Sequence, residues 1–369
     1  MTERVLAERE LNRALLARQL LLERKRLSVA TALERIGGLQ AQHGPSPHIA
    51  LWSRIAGFRP EQLNKALRER KAVKATLMRV TLHILSTRDY YAFEPALRLA
   101  RAAWWAEVGP RVGVEFDFEE IGRRTLELVG AGDRPPSELK ELTLRLTKGP
   151  EPSSGFHWRL AVGSASLVHT PPSGFWGHHG PGRFASDAGW LGRAVTPEDG
   201  DLALLVSRHL GAFGPATRGD VSSWSGLPVS VLAPGFERLK LLEYRDERGR
   251  RLYDVPRGPL PPADTRAPVR FLPKWDSTLL AFEAPERTRI LPERYRKTVI
   301  RKNGDVLPTF LIDGFVAGSW SVKRTTKVAV LLLDAFEAVP RAWKRELVEE
   351  GERLLGLLEP EAPAYQVKV

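Results

Sequence analysis

Residues 202–255 read LALLVSRHLGAFGPATRGDVSSWSGLPVSVLAPGFERLKLLEYRDERGRRLYDV. Apolar spacing, a threonine N-cap and a proline at a first helical position predict helices, and alternating residues predict two returning strands. The predicted elements are, in order, helix 202–210, a helix over 218–224 capped by Thr217, a helix opened by Pro228, strand 236–244 and strand 251–255. Helix, turn, helix and hairpin in this order predict a winged helix, the helix-turn-helix variant whose second helix and wing contact DNA.

The two stretches before this unit show the same order of elements. The first hundred residues predict helices 11–22, 28–36 (N-capped by Ser28), 49–56 and 61–71 and strands 73–78 and 81–85. Residues 105–197 predict helices 118–129, 137–146 and 158–162 and a long wing formed by 166–169 and 175–190. We therefore expect two further winged helices.

The last third of the chain has a different pattern. A proline-rich linker, 256–268, precedes strand-like runs with hairpin signals at Asn303-Gly304 and Asp313-Gly314. The predicted strands are 269–272, 279–282, 298–301, 306–312, 315–321 and 328–333, and an amphipathic helix follows over 340–358. The expected fold class is α+β: tandem winged-helix (helix-turn-helix) units, then a C-terminal antiparallel β-barrel-like domain with a terminal helix. The expected domains are 1–104, 105–197, 198–256 and 257–369.

The net charge of +12 is concentrated in the first predicted domain. Residues 1–100 hold 18 basic and 9 acidic side chains, so the remainder of the chain carries only +3. The cations are mostly arginines, 42 against 14 lysines, and the planar guanidinium suits phosphate. A basic first domain predicts a nucleic-acid partner, with an ordinary solvated surface as the alternative.

Composition and motifs argue against several other classes. The chain has no cysteine, which excludes disulfide scaffolds and thiol nucleophiles. The longest apolar run, 328–333, is too short to span a bilayer, and the N-terminal residues lack a signal-peptide core. No phosphate-binding glycine loop occurs, and the densest histidine cluster, around His178-His179, lacks carboxylates at metal spacing. We expect no metal, no cofactor, no membrane contact and a cytoplasmic location.

The most unusual segment is Gly37-Gly38-Leu39-Gln40-Ala41-Gln42-His43-Gly44-Pro45-Ser46-Pro47. If this stretch is extended, Gln40 and Gln42 point the same way, because side chains on a strand repeat with period two. The alternative is a turn whose side-chain amides hydrogen-bond to backbone groups.

The chain resembles the winged-helix DNA-binding family that includes the AlkZ- and YcaQ-type DNA glycosylases. The matching residues are Gly38-Leu39-Gln40-Ala41-Gln42, Pro45-Ser46-Pro47, Leu51-Trp52-Ser53-Arg54, Thr81-Leu82-His83, Gly214-Pro215-Ala216-Thr217, Trp224-Ser225-Gly226-Leu227, Leu272-Pro273-Lys274-Trp275-Asp276, Asn303-Gly304, Leu307-Pro308 and Asp313-Gly314. They cover nearly the whole chain, with residues 105–195 the least distinctive.

The resemblance implies three tandem winged helices and a barrel that hold double-stranded DNA in a concave basic channel. In the AlkZ branch a Gln-x-Gln motif is catalytic, whereas the YcaQ branch has Asp at the second position. Because this chain has Gln42 there, it is closer to the AlkZ side, and the implied catalytic residues are Gln40 and Gln42. The implied activity is that of a monofunctional DNA glycosylase for cationic alkylated purines of the N7-alkylguanine type, crosslinks included.

This chemistry suits neutral amides. A purine alkylated at N7 is already cationic, so it leaves without a general acid. The remaining needs are a positioned water and stabilisation of an oxocarbenium-like sugar. Two amide carbonyls can orient the water and favour the developing positive charge.

The predicted DNA-binding residues are polar side chains of the basic first domain: His43, Arg54, Lys65, Arg68, Arg70, Lys74, Arg79 and His83. We expect a monomer that works on DNA in the cytoplasm, associated with the nucleoid. Two alternatives remain at this point. One is a non-catalytic winged-helix DNA-binding or regulatory protein, and the other is a different hydrolase that uses Asp276 or Asp89.

Overall fold

A computed structural model describes residues 4–368, so residues 1–3 and 369, the outer ends of the first and last predicted domains, lie outside it. The first elements are β1 (Val5–Leu6), α1 (Glu8–Arg18), α2 (Val29–Ile36), β2 (Leu39–Gln40), α3 (Ser46–Arg54), α4 (Pro60–Arg68), β3 (Ala72–Thr76), a 3₁₀ turn (Met78–Val80), β4 (Leu82–Ser86) and α5 (Thr87–Arg111). As predicted, Ser28 caps α2, its hydroxyl accepting from the Thr31 amide at 3.1 Å. Gly37 then ends the helix at a left-handed φ of 75°.

The second stretch adds strands to the sheet of the first. Its elements are β5 (Glu115–Phe116), α6 (Phe118–Val129), α7 (Pro136–Leu146), β6 (Thr147–Lys148), α8 (Phe156–Ser164), β7 (Val168–Thr170), β8 (Arg183–Ala185), α9 (Asp187–Leu191) and a 3₁₀ turn (Pro197–Asp199). β7 pairs with β3 through Val168 and Ala75. One five-stranded sheet, in the order β2-β4-β3-β7-β8, therefore joins the first two stretches.

The third stretch has the predicted order of elements, but the strand predicted over 236–244 begins only at Leu242, because Phe236 lies in the last turn of a helix. The elements are α10 (Leu202–Phe213), α11 (Arg218–Ser225), α12 (Val229–Glu237), β9 (Leu242–Asp246) and β10 (Arg251–Asp254). Thr217 caps α11, since its hydroxyl accepts from the Asp220 amide at 3.0 Å. β1 from the N-terminus adds to this hairpin in parallel with β9, a pairing that the local pattern does not show.

The C-terminal part corrects the predicted barrel. Its elements are β11 (Arg270–Leu272), two 3₁₀ turns (Ser277–Leu279 and Ala284–Arg289), α13 (Glu293–Val299), β12 (Thr309–Ile312), β13 (Phe315–Arg324), β14 (Ala329–Ala335), α14 (Arg341–Leu358) and β15 (Tyr365–Lys368). The sheet order is β11-β12-β13-β14-β15, and its two outer strands do not pair over the described residues, so the sheet is open. Its last pair, β14 with β15, is parallel, so the sheet is mixed and a strand follows the terminal helix.

Two predicted strands in this part are wrong for a physical reason. The stretch 279–282 forms the end of a 3₁₀ turn and a loop, and 298–301 contains the end of α13. Leu279, Ala281 and Phe282 are fully buried without belonging to a strand. A short apolar run that is buried on all sides lacks the period that distinguishes strand from turn.

The largest hydrophobic core connects all four predicted domains. It includes Leu15 of α1, Val168 of β7, Leu210 of α10 and Val316 of β13. Buried ion pairs cross the same boundaries, and the guanidinium of Arg18 meets the carboxylate of Asp254 at 2.6 and 2.8 Å. The molecule is a mixed α+β protein whose parts share one interior.

Several histidines are buried in this interior and are neutral. His209 donates from Nε2 to the carbonyl of Ala281 at 3.0 Å, and His48 donates in the same way to Gly174. Burial lowers the pKa of His48 and of His209 to about 4. In the unfolded chain each imidazole takes up a proton below its ordinary pKa of about 6.5. Acid therefore favours the unfolded state.

We predict that the free energy of unfolding falls between pH 7.5 and pH 5, by about 2 kcal/mol for each histidine that stays neutral in the folded state. His209→Gln keeps a donor for Ala281 but cannot titrate, so the variant should lose one such contribution. Urea unfolding at both pH values measures the difference. The control is His179→Gln, at an exposed position. An unchanged pH dependence in His209→Gln would show that His209 is not held neutral.

Candidate active site

The two glutamines lie on a short extended segment that follows α2. Gly38 reverses the chain at a φ of 78°, where a side chain would collide with Leu85. Leu39 and Gln40 then pair with β4, with Gln40 opposite His83. The ladder continues at Ala41, whose amide donates to the carbonyl of Leu82 at 2.7 Å. The chain is therefore extended from Leu39 to Ala41.

The structure brings the two carboxamides into direct contact. Nε2 of Gln40 donates to Oε1 of Gln42 at 2.7 Å. Gln40 is buried with 6% of its surface exposed, whereas Gln42 is exposed. The pair therefore has a fixed inner member and an outer member that meets the solvent.

Arg79 completes the inner side of the pair. It belongs to the 3₁₀ turn between β3 and β4, and its Nη2 donates to Oε1 of Gln40 at 3.2 Å. Its Nη1 donates to the carbonyl of Trp224 in α11. Burial, reinforced by the charge of Arg287, lowers the pKa of Arg79 to about 10, so the guanidinium remains charged at neutral pH.

His83 lies beside Gln40 as a neutral imidazole. Its Nδ1 is 3.0 Å from the carbonyl of Thr81, which only accepts, so Nδ1 carries the proton and Nε2 keeps its lone pair. Burial and the charge of Arg79 lower the pKa of His83 to about 3. His83 therefore adds no charge at neutral pH.

A turn of the C-terminal part lies near the segment 37–47, the glutamine loop. His43, just after Gln42, is close enough to Lys274 and Asp305 for their charges to act on its pKa, which burial lowers. Lys274 pairs with Asp305 at 2.7 Å, and its Nζ lies 4.7 Å from the ring centroid of Trp275. The sequence analysis did not include Lys274 or Trp275 among the site residues, although both lie in one of the matching motifs.

The predicted DNA-binding residues separate into surface and buried groups. Lys65, Arg68 and Arg70 are exposed, and the last two lie over the aromatic rings of Phe175 and Trp190, with Cζ 5.3 and 4.8 Å from the ring centroids. His43 is also exposed. These four side chains are available to a ligand.

The structure corrects the prediction that Arg54, Lys74 and His83 contact DNA, because all three side chains are buried. Arg54 forms two hydrogen bonds with Asp276, of 2.8 and 3.0 Å, and neither side chain is exposed. Nζ of Lys74 lies 3.4 Å from the hydroxyl of Ser173. Burial lowers the pKa of Lys74 to about 8. These side chains belong to the interior, and a single sequence gives no sign of it.

The charge excess of residues 1–100 is also smaller on the surface than in the sequence. Several of its arginines pair with carboxylates from beyond residue 250: Arg9 and Arg13 with Asp313, Arg18 with Asp254, Arg24 with Glu350, and Arg54 with Asp276. The basic surface of this part is therefore formed by the remaining exposed cations, which include those of α4 and the turn after it.

The two aspartates of the alternative hydrolase are engaged by arginines. Asp276 accepts from Arg54 and also from the amide and hydroxyl of Thr278. Asp89 is buried, which raises its pKa, and Nε of Arg208 lies 3.0 Å from both of its oxygens. Both carboxylates hold the fold together, which argues against that alternative.

The described part of the chain shows neither a metal-ligand cluster nor a membrane-spanning helix. Between residues 4 and 368, no three His, Asp or Glu side chains lie together as metal ligands would. In the same range, no helix is both long enough and apolar enough to cross a membrane.

Comparison with known proteins identifies the family. The family model of AlkZ-like DNA glycosylases matches residues 33–357. The chain belongs to the AlkZ-like DNA glycosylase family. An interstrand DNA cross-link repair glycosylase of Streptomyces sahachiroi is 27% identical over 325 residues, which cover 83% of this chain and 85% of that protein. The structure of the S. sahachiroi DNA glycosylase AlkZ superposes with a TM-score of 0.77 at 18% identity, covering 99% of both chains, which shows a shared fold.

Membership of the AlkZ-like family makes this protein a DNA glycosylase, a hydrolase of N-glycosyl bonds in DNA. It also confirms the resemblance drawn from the sequence motifs. The alternative of a non-catalytic DNA-binding protein is not favoured by this membership.

We predict that Arg68→Gln/Arg70→Gln weakens duplex DNA binding for all sequences alike. If each arginine contacts a phosphate, the slope of log affinity against log salt should decrease in magnitude by about 2, because each lost contact retains about one counterion. Fluorescence anisotropy over a salt series measures both quantities. The control, Arg123→Gln/Arg124→Gln, removes the same charge from exposed positions on α6.

Arg54→Met should behave differently from the double variant. It leaves Asp276 buried without its partner, so we expect a loss of stability of about 3–5 kcal/mol, visible as a lower Tm. A flat salt dependence of the parent protein, or equal effects of the α4 and α6 double variants, would contradict a DNA surface at Arg68 and Arg70.

Proposed function

We propose that this DNA glycosylase removes cationic alkylated purines and that Gln40 and Gln42 position the attacking water. The supporting observation is the hydrogen-bonded carboxamide pair, buried at one end and open to solvent at the other. Its outer face is accessible to the sugar of a DNA nucleotide. Its inner face is held by Arg79.

The reaction needs no protonation of the leaving group. The glycosidic bond breaks with both electrons passing to the base, so a cationic N7-alkylguanine leaves neutral. The sugar takes up the positive charge. Water bonds to C1′ and then releases a proton to the solvent. Amide carbonyls that accept from the water protons direct its lone pair at C1′ and stabilise the cation.

The open position of Gln42 favours bulky lesions. Enzymes that turn a base fully out of the helix hold it in a closed pocket, which a base tied to the opposite strand cannot enter. An exposed amide can approach the sugar of such a nucleotide in place. By analogy with the crosslink-repair relative, we include interstrand crosslinks at purine N7 among the substrates.

We also propose roles for the four predicted domains. Residues 1–104, 105–197 and 198–256 would act as winged helices around duplex DNA, and 257–369 would support them. His43, Lys65, Arg68 and Arg70 would contact DNA directly. Helix-and-hairpin order in 202–255 and the exposed cations after α4 support this arrangement. We expect a monomer that acts in the cytoplasm at the nucleoid.

We predict that Gln42→Ala lowers the single-turnover release of N7-methylguanine from duplex DNA by about 10²–10³, the effect of losing one oriented polar group. DNA affinity should barely change, because phosphate contacts dominate it. Gln42→Asp should retain much of the rate, since a carboxylate also accepts from Gln40 and from water. Free base and Tm are measured for the same proteins.

Gln62→Ala is the matched control for a structural amide. Gln62 accepts from the amide of Arg59 at the start of α4, so its loss should lower stability by about 1 kcal/mol and leave the rate intact. A stable Gln40→Ala/Gln42→Ala variant that releases base at the parental rate would exclude the proposed role of the pair.

We predict that the enzyme selects its substrate bases by their positive charge. The protein should release N7- and N3-alkylated purines, open an N7-linked crosslink, and leave uracil and 8-oxoguanine in place, because neutral bases need an acid to leave. It should leave an intact abasic site, since Lys74 lies on the sheet face opposite Gln40 and the amine of Lys274 is paired with Asp305. Efficient uracil release, or a covalent protein–DNA adduct trapped by borohydride, would contradict this mechanism.

A further inference from the structure

The hydrogen-bond direction within the glutamine pair follows from Arg79. A guanidinium has only donors, so the Gln40 atom that lies 3.2 Å from Nη2 must be the carbonyl oxygen. Nε2 of Gln40 then faces Gln42 and donates to its carbonyl oxygen at 2.7 Å. One chain of hydrogen bonds runs from Arg79 through Gln40 to Gln42.

The direction of the hydrogen bond between Gln40 and Gln42 decides how many lone pairs remain to accept from water. Each carbonyl oxygen has two lone pairs. In the observed arrangement Oε1 of Gln40 uses one for Arg79, and Oε1 of Gln42 uses one for Gln40, so each oxygen keeps one. If Gln42 donated to Gln40 instead, Oε1 of Gln40 would accept twice and have none left. Only the observed direction lets both amides accept a water proton.

Arg79 is itself held firmly enough to set this direction. Its other nitrogen, Nη1, donates to the carbonyl of Trp224 near the end of α11. Its backbone has a left-handed φ of 53°, which non-glycine residues rarely adopt. Gly226 packs against this backbone, and a Cβ there would lie 3.0 Å from the amide nitrogen of Arg79. The third stretch of the chain thus supports the amides of the first.

We propose that Arg79 is a positioning residue of the glycosylase, which orients the carboxamides of Gln40 and Gln42 so that both carbonyls accept from the attacking water. This inference rests on the proposed role of the glutamine pair. It assigns Arg79, predicted from sequence as a DNA contact, a role directed into the protein. It also makes the end of α11 part of the support of the active site.

The test is a double-variant cycle on single-turnover release of N7-methylguanine, with enzyme in saturating excess. Arg79→Met should lower the rate by about 10²-fold, a typical cost of misplacing a reacting group, with little change in Kd for DNA. Because Arg79 acts through Gln40, adding Arg79→Met to Gln40→Ala should cost almost nothing further. Arg79→Lys keeps a charged donor and should recover part of the rate.

A second set of variants tests the direction of the hydrogen bond between Gln40 and Gln42. Gln40→Glu retains an acceptor for Arg79 but loses the donor toward Gln42, so it should be as slow as Gln40→Ala, whereas Gln42→Asp stays active. Arg345→Met, exposed on α14 outside the proposed DNA-binding units, is the control and should leave rate and Kd unchanged. Tm for every variant verifies folding, and Arg79→Lys serves if Arg79→Met is unstable.

The outcomes separate this inference from the proposed function. If Gln40→Ala is slow but the Arg79 and Gln40 effects multiply, or if Arg79→Met changes only Kd, Arg79 does not act through Gln40 and this inference is wrong. If Gln40→Ala itself releases base at the parental rate, the proposed role of the glutamine pair fails first. Non-additive rates together with rescue by lysine support the positioning role.

Discussion

The buried ion pair between Arg54 and Asp276 is the interaction on which the site depends. It fastens the end of α3 to the turn after β11, with neither side chain exposed. A paired, charge-assisted contact of this kind fixes geometry, and removing one partner leaves an uncompensated buried charge. Since α3 follows the glutamine loop and Asp276 follows Lys274 and Trp275, this pair ties the end of the loop to that turn.

The same network reaches the third stretch of the chain. Arg54 donates to the side-chain oxygen of Gln19, whose amide nitrogen donates to the carbonyls of Ile36 and Ala212. Ile36 ends the helix that leads into the glutamine loop. Interior polar bonds therefore hold α2, α3, α10 and the C-terminal turn together. The proposed catalysis by two neutral amides benefits from such rigidity, because an uncharged group acts mainly through its orientation.

In the proposed mechanism the enzyme acts without a general acid. Among the described residues, no ionisable neighbour of the pair is placed as a general acid at neutral pH: His83 is neutral by burial, Lys274 pairs with Asp305, and Arg79 stays charged and donates to Gln40. A substrate that already carries its positive charge needs only a directed water and room for its substituent. We propose that the hydrogen-bonded amide pair, with Gln42 open to solvent, provides both, which connects the exposed position of Gln42 with large adducts.

The sequence by itself determined the family and most of the local elements, although the helix α5 was not among those predicted. Caps and turns at Ser28, Thr217 and Asp313-Gly314 were readable because each acts within a few residues, and the Gln-x-Gln loop stood out for the same reason. Only the tertiary structure decided which arginine and lysine side chains are exposed. Arg54 and Arg68 look alike in the sequence, yet one is bonded to a residue 222 positions away and the other is exposed. The contact from Arg79 to Trp224 and the parallel pairing of β15 also depend on long-range packing, which no local pattern encodes.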